Sequence, residues 1–229
     1  MASQYRRLAP AVLAGCLVVA GFAGCAVESG RSAAYVGATR YSRAQVDRIV
    51  TGIVTDGQKI QDSQLPVVRQ QVAAALVFLD VAHRFARDSG YGDPDIDYAG
   101  EAARFGLPET DAFARLEAQA AGYGQLLVDK ATPATPTEAQ YREVYANLVA
   151  GGATVPYEQV RPELAKVAAI GQSLAARDAL RAAMRRYRVR VNPVYGAVAF
   201  TLLVVHDGNG NPYRAVVLPL TEAPAVVGG

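Results

Sequence analysis

Pro66-Val67-Val68-Arg69-Gln70-Gln71-Val72-Ala73-Ala74-Ala75-Leu76-Val77-Phe78-Leu79-Asp80-Val81-Ala82-His83-Arg84-Phe85-Ala86-Arg87-Asp88-Ser89-Gly90 is the stretch on which the fold class turns. Proline suits the first turn of a helix, where its missing N–H loses no bond. No breaker follows from Val67 to Arg87, and Gly90 supplies a C-terminal cap. Val72, Leu76, Leu79, Val81 and Phe85 offer apolar surface, while Ala73-Ala74-Ala75 permits close helix contact. This is the clearest of several helices, and the chain reads as mainly α.

Upstream, Ala33–Ala38 reads as a brief strand ending in a turn. Ser42 then opens a helix, with Gln45 at the spacing of a capping box. Val46, Ile49, Val50 and Ile53 give that helix one apolar face. Downstream, the loop at Tyr91–Pro94 precedes a short helix to about Phe105. Pro108-Glu109-Thr110-Asp111 starts another helix, which carries Phe113, Leu116, Leu126, Leu127 and Val128. Gly122 and Gly124 weaken its middle. After the Ala131–Pro136 connector, Thr137 opens a helix with Tyr141, Val144, Tyr145 and Leu148 that stops at Gly151-Gly152. A final helix is expected from Tyr157 to Tyr187, with Pro162 early enough to be tolerated. The strand at 33–38 needs a partner, and Arg188–Asn192 supplies one. Ala197–Val205 and Tyr213–Leu218, joined by Asp207-Gly208-Asn209-Gly210-Asn211, form a hairpin.

The 229 residues are 51% hydrophobic and 19% charged, which permits a real core and excludes general disorder. The formal charge of +2 comes from the first 24 residues, which hold Arg6 and Arg7 and no acid. Without those two, 21 basic residues face 21 acidic ones, so the surplus a nucleic-acid partner requires is missing. Arg6-Arg7 followed by apolar Leu8–Gly24 has the layout of an export signal. The only cysteines lie there, in Leu13-Ala14-Gly15-Cys16 and Phe22-Ala23-Gly24-Cys25, and both resemble the bacterial lipobox. Cys25 follows a full-length apolar run and precedes polar Glu28–Arg31, so it is the expected lipidation site, with Cys16 as the alternative. An uncleaved anchor over Leu8–Val27 is the competing reading, since about 20 apolar residues approach the minimum bilayer span. The expected organisation is a signal peptide at 1–24, a tether at 25–32, a helical domain at 33–196, a hairpin at 197–222 and a tail at 223–229. Two acyl chains on the cysteine suffice for stable anchoring at the outer face of the membrane.

Few residues suggest chemistry. The two histidines, His83 and His206, have neither metal-ligand spacing nor a nucleophile arrangement around them, so no zinc site and no catalytic set are expected. Asp93-Pro94-Asp95-Ile96-Asp97 alternates carboxylates as a calcium loop does, but Tyr98 and Arg104 stand where glycine and a bidentate Glu are needed. Acids before a helix favour its positive end instead. Asp207–Asn211 fails similarly, with Leu218 at the twelfth position. Arg185-Arg186-Tyr187-Arg188-Val189-Arg190 is the densest basic run. It reads either as a patch for anionic headgroups or wall polymers, or as a helix C-terminus and the solvated face of a strand. The 12 tyrosines, with no tryptophan, suit grooves that hold extended chains and also suit the rim of a helical core.

Four segments resemble the N-terminal chaperone domain of the SurA/PrsA-type exported foldases, particularly the short actinobacterial lipoproteins that carry it. They are Ala34–Gly37 with Ser42–Asp47, Pro136–Tyr141, Pro156–Leu164 and Arg188–Gly196. The resemblance covers about 33–196 and implies a helical SurA N-terminal-like domain whose first and last strands are built together. Enzymatic members insert a parvulin-type isomerase domain of roughly 90–100 residues between the middle and closing helices. Here only Val149–Val155 separates them, so no isomerase activity is expected. The resemblance implies a lipid-anchored protein, without cofactor or metal, that holds exported or unfolded polypeptides in an apolar groove. The other reading is an accessory envelope lipoprotein that binds one protein partner through the 197–222 hairpin.

Overall fold

The computed structural model describes residues 30–55 and 60–221. Cys16 and Cys25, the leader, most of the tether and the tail from 223 lie outside them. The chain opens with a hairpin, β1 (Ser32–Val36) and β2 (Thr39–Ser42), followed by helices α1 (Arg43–Thr55), α2 (Leu65–Asp88), α3 (Tyr98–Phe105) and α4 (Ala112–Lys130). Then come α5 (Glu138–Ala150), α6 (Tyr157–Lys166), α7 (Ala168–Arg186), the short β3 (Arg190–Val191), and a second hairpin, β4 (Ala199–His206) and β5 (Pro212–Pro219). The molecule is mainly α with two small antiparallel sheets, ordered β2-β1-β3 and β4-β5.

Local chemistry sets most helix ends. Ser42 Oγ accepts from the Gln45 N–H at 3.0 Å, and Pro66 stands in the first turn of α2. Asp97 and Asp111 cap α3 and α4 through their carboxylates, so the acids before α3 include one helix cap. Thr137 and Gln140 form a reciprocal capping box on α5. Gly90 turns the chain away from α2 at φ 72°.

The two ends of the helical region meet as expected. Ala34 pairs with Val191 and Tyr35 with Arg190 in antiparallel register. Asn192 extends the contact, donating from its N–H to the Ala33 carbonyl and from Nδ2 to the Ser32 carbonyl, each at 2.8 Å. The strand at 33–38 does more than end in a turn. Gly37, at φ 60°, reverses the chain so that Thr39–Ser42 returns as β2 along β1. So short a strand has no amphipathic run of its own; its stability comes from the partner.

All of Val72–Phe78 in α2 is buried, so that stretch is covered on every side, as in a central helix. The segment Asp62–Asp88 is long and apolar enough to cross a membrane by length and composition, and Val72–Phe78 within it is buried among the other elements. Two apolar clusters surround this arrangement. The larger joins β1, α1, α2, α3, α4, the end of α7, Val198, Leu218 and Leu220. The smaller joins Tyr141, Val144 and Leu148 of α5, Leu164 of α6, Ile170 and Leu174 of α7, and Ala215 and Val216 of β5. The C-terminal hairpin therefore contributes to both. Phe200 of β4 stacks on fully buried Phe78 with ring centroids 3.6 Å apart, and Asn147 Nδ2 donates to the Ala215 carbonyl at 3.1 Å.

One expectation requires correction. The closing helix is not continuous from Tyr157 to Tyr187, because Val167 leaves helical geometry (φ −84°, ψ 91°) and separates α6 from α7. No breaker marks the site. The break lets Leu164 and Ile170 both face the smaller cluster, and packing overrides propensity. It also sets Gly171 against the 131–136 connector, where a Cβ would overlap the Ala134 carbonyl oxygen. In α4 the glycines do not interrupt the helix. Gly124 lies beneath the Phe78 and Phe200 rings, and Gly122 lies against Ile96 and Pro94.

Arg177 of α7 is 3% exposed and bridges Glu143 of α5 (2.8 Å) and Asp178 (2.9 Å), both of which reach solvent. The guanidinium is the one group of this trio that cannot fall back on water.

Two glycine substitutions separate these roles. A Cβ at Gly124 would meet the phenyl rings at an ordinary 3.5 Å, so Gly124→Ala is expected to stabilise by about 0.5–1 kcal/mol through helix propensity. Gly171→Ala is expected to destabilise by about 2 kcal/mol or more through overlap with backbone. Urea melts of both variants check the signs.

Candidate functional site

The site begins with helix periodicity. Leu76, Leu79, Asp80 and His83 stand at i, i+3, i+4 and i+7 on α2 and therefore share one stripe. Gln119 and Tyr123, one turn apart on α4, face that stripe. The loop residues Asp93 and Ile96 and Tyr41 of β2 close the sides of a concavity of ≈ 520 Å³. That volume falls within the roughly 300–1,000 Å³ typical of ligand clefts. Leu76, Leu79 and Ile96 supply apolar lining, and two tyrosines, two aspartates, His83 and Gln119 supply polar groups.

The polar groups are held in fixed pairs. Tyr41 donates to Asp80 Oδ2 at 2.9 Å, and Arg84 donates to Asp80 Oδ1 at 2.6 Å. Arg84 also reaches Thr39 Oγ1 at 2.7 Å, which ties α2 to β2. Burial, and next the neighbouring Asp80 charge, push the Tyr41 phenol well above its ordinary range. Tyr123 donates to Asp93 at 2.6 Å, and burial with that bond pushes its phenol up to about 12. His83 is exposed and meets the Tyr123 ring edge-on at 5.5 Å.

Of the residues considered for chemistry, His83 and Asp93 reach this cleft, whereas His206 ends β4 in the other hairpin. Asp207 accepts from the N–H groups of Asn209 and Asn211 and from Asn211 Nδ2, which makes it the organiser of the hairpin turn. Among the described residues no three of His, Cys, Asp and Glu are placed to hold a metal ion. Sequence reasoning missed Tyr41, Asp80, Gln119 and Tyr123. The i,i+4 spacing of Asp80 and Arg84 was an available signal for one of them.

Beside the site, on the same helix α4, Glu117 is partly buried. Burial raises its carboxyl to about 7, with Arg104 opposing and Glu101 assisting the shift. The unfolded chain releases this proton near 4.5 and the folded chain near 7. Its stabilising contribution is thus fully present below 4.5 and is lost as pH rises to 7. Roughly 3 kcal/mol is the size of the effect. Glu117→Gln is expected to flatten that part of the stability profile and to raise Tm at pH 8 by about 5–10 °C. Calorimetry across pH 4.5–8 checks both.

The chain matches no family model, no curated protein and no solved structure.

Proposed function

We propose that this chain is a lipid-anchored, extracytoplasmic chaperone-like protein that holds segments of exported or unfolded polypeptides without enzymatic chemistry. The observation that carries this reading is the cleft between α2 and α4, with Leu76, Leu79 and Ile96 in its lining and Tyr41 and Tyr123 beside them. Such a lining takes up apolar side chains, and the fixed tyrosine rings add apolar area beside it. Binding of this kind rests on covered apolar surface at about 25 cal/mol per Å², so it is weak and tolerant of sequence. The resemblance of 33–196 to the SurA-type chaperone domain points the same way, as do the lipobox-like segments ending at Cys25 and Cys16.

The second reading is an accessory envelope lipoprotein with a single partner at the C-terminal hairpin. It draws on the outward side of β4, where Val204 is 44% exposed. Deleting 197–222 does not separate the two readings, because the hairpin belongs to both apolar clusters. Point substitutions do. A charge at Leu79 or Ile96 removes roughly 60 Å² of apolar contact, about 1.4 kcal/mol or tenfold in affinity. Leu79→Asp and Ile96→Asp in the 27–229 fragment are therefore expected to lose most suppression of aggregation of an unfolded client, with Val204→Asp unaffected. Light scattering of a chemically unfolded client measures this. Equal activity in all three variants, or none in the parent fragment, sinks the chaperone reading.

A further inference from the structure

The basic run at the end of α7 lines a second concavity, of ≈ 790 Å³, on the other side of the Asp80–Arg84 pair. Arg84, Arg186, Arg188 and Arg190 surround it, together with the Gly37-Ala38 turn. No carboxylate lines it. Two of the four guanidinium groups are already committed, Arg84 to Asp80 and Arg186 to Asp88. Arg188 and Arg190 make no ion pair with any described residue, and Arg190 lies 5.3 Å over the Tyr35 ring. Two positive charges are thus left over at one place.

A helix C-terminus accounts for cations at 185 and 186, since the dipole favours them there. It does not account for the next two. Arg188 and Arg190 lie beyond the helix, one in the turn that follows it and one in β3, and both line the groove. The backbone adds an independent observation. Among the described residues Arg188 is the sole non-glycine with positive φ, at 53°. It occupies the turn that ends α7, where the Val189 N–H returns to the Met184 carbonyl at 3.0 Å. Glycine is the residue that adopts this position freely. An arginine there holds the backbone in a disfavoured region and brings a guanidinium into the groove.

We propose that this groove binds the phosphate groups of an anionic ligand, with Arg188 and Arg190 as the principal contacts and Arg186 and Arg84 beside them. Paired guanidinium forks match phosphate oxygens, and two uncommitted charges suit a diphosphate or closely spaced phosphates better than a single carboxylate. Both a soluble phosphate compound and a phospholipid headgroup present this chemistry. The inference stands independently of the polypeptide-binding cleft.

The test uses the purified full chain and two probes. Inorganic pyrophosphate is titrated by calorimetry, and vesicles of phosphatidylglycerol with phosphatidylcholine are compared with phosphatidylcholine alone by co-sedimentation. Arg188→Gly and Arg190→Gln are each expected to weaken binding about tenfold, the scale of one charge-assisted contact. Arg115→Gln, on α4 and outside the groove, is expected to leave it intact. Arg188→Gly is also expected to raise Tm by about 2–4 °C by relieving the backbone, so its loss of binding cannot be ascribed to unfolding. Pyrophosphate binding identifies a soluble phosphate as the ligand class. Preference for phosphatidylglycerol alone identifies a headgroup. Absence of saturable binding to both probes, or equal losses in Arg115→Gln, overturns the proposal, and a lowered Tm in Arg188→Gly overturns its backbone argument.

Discussion

The structure depends on α7 and β5 each burying one end in each of two apolar clusters. Ile170 and Leu174 belong to the smaller cluster, and about two to four turns later Leu180 and Ala183 belong to the larger. Along β5, Ala215 and Val216 serve the smaller and Leu218 the larger. Neither cluster is complete without both elements, so the helices around α2 and those around α5 are joined by shared side chains. The short β1–β3 pairing then fixes where α7 ends, because only three residues separate Arg186 from Arg190. Burial shared in this way favours cooperative unfolding.

That constraint explains why a cleft persists beside α2. Its middle, Val72–Phe78, is buried, and beyond it Leu79, Asp80 and His83 emerge along one stripe. There Asp80, Arg84, Tyr41 and Thr39 are bonded to one another, so the adjoining wall between α2 and β2 does not simply collapse. Tyr123 and Asp93 play the same part opposite. Between these fixed polar pairs Leu79 and Ile96 are half-buried, whereas Leu76 is buried at the floor.

Much of the fold was legible because it was written in local chemistry. Caps at Ser42, Asp111 and Thr137, the proline at 66 and the glycine at 90 act within a few residues of themselves, and the structure places them as their spacing implies. The pairing of 34–35 with 190–191 was also legible, since an isolated short strand has unmet backbone bonds and a single partner was on offer. What escaped was decided at a distance. The break at Val167 answers to clusters built from residues far along the chain, and β2 exists because β1 lies beside it. Gly124 reads as a weak point in one helix, and no local signal shows that Phe78 and Phe200 come over it. The cleft was the least legible part: Leu76 and Leu79 look like core residues in a periodicity pattern, which shows that a face is apolar and not how completely it is covered.

The two concavities are best considered together, because one ion pair separates them. Asp80 lines the first and Arg84 the second, and they meet at 2.6 Å. Arg84 is shared between the carboxylate and the Thr39 hydroxyl, and the carboxylate also holds the Tyr41 phenol. An anion that drew on Arg84 would compete directly with Asp80. Any loosening of that pair would be felt by Tyr41, whose hydrogen bond forms part of the first cleft. By reciprocity, a ligand that changed how Tyr41 and Asp80 are held would alter the affinity of the second groove by the same factor. The partial burial of this pair limits screening by salt. Electrostatic contact between the two sides therefore passes through a few fixed bonds and needs no movement of the helices.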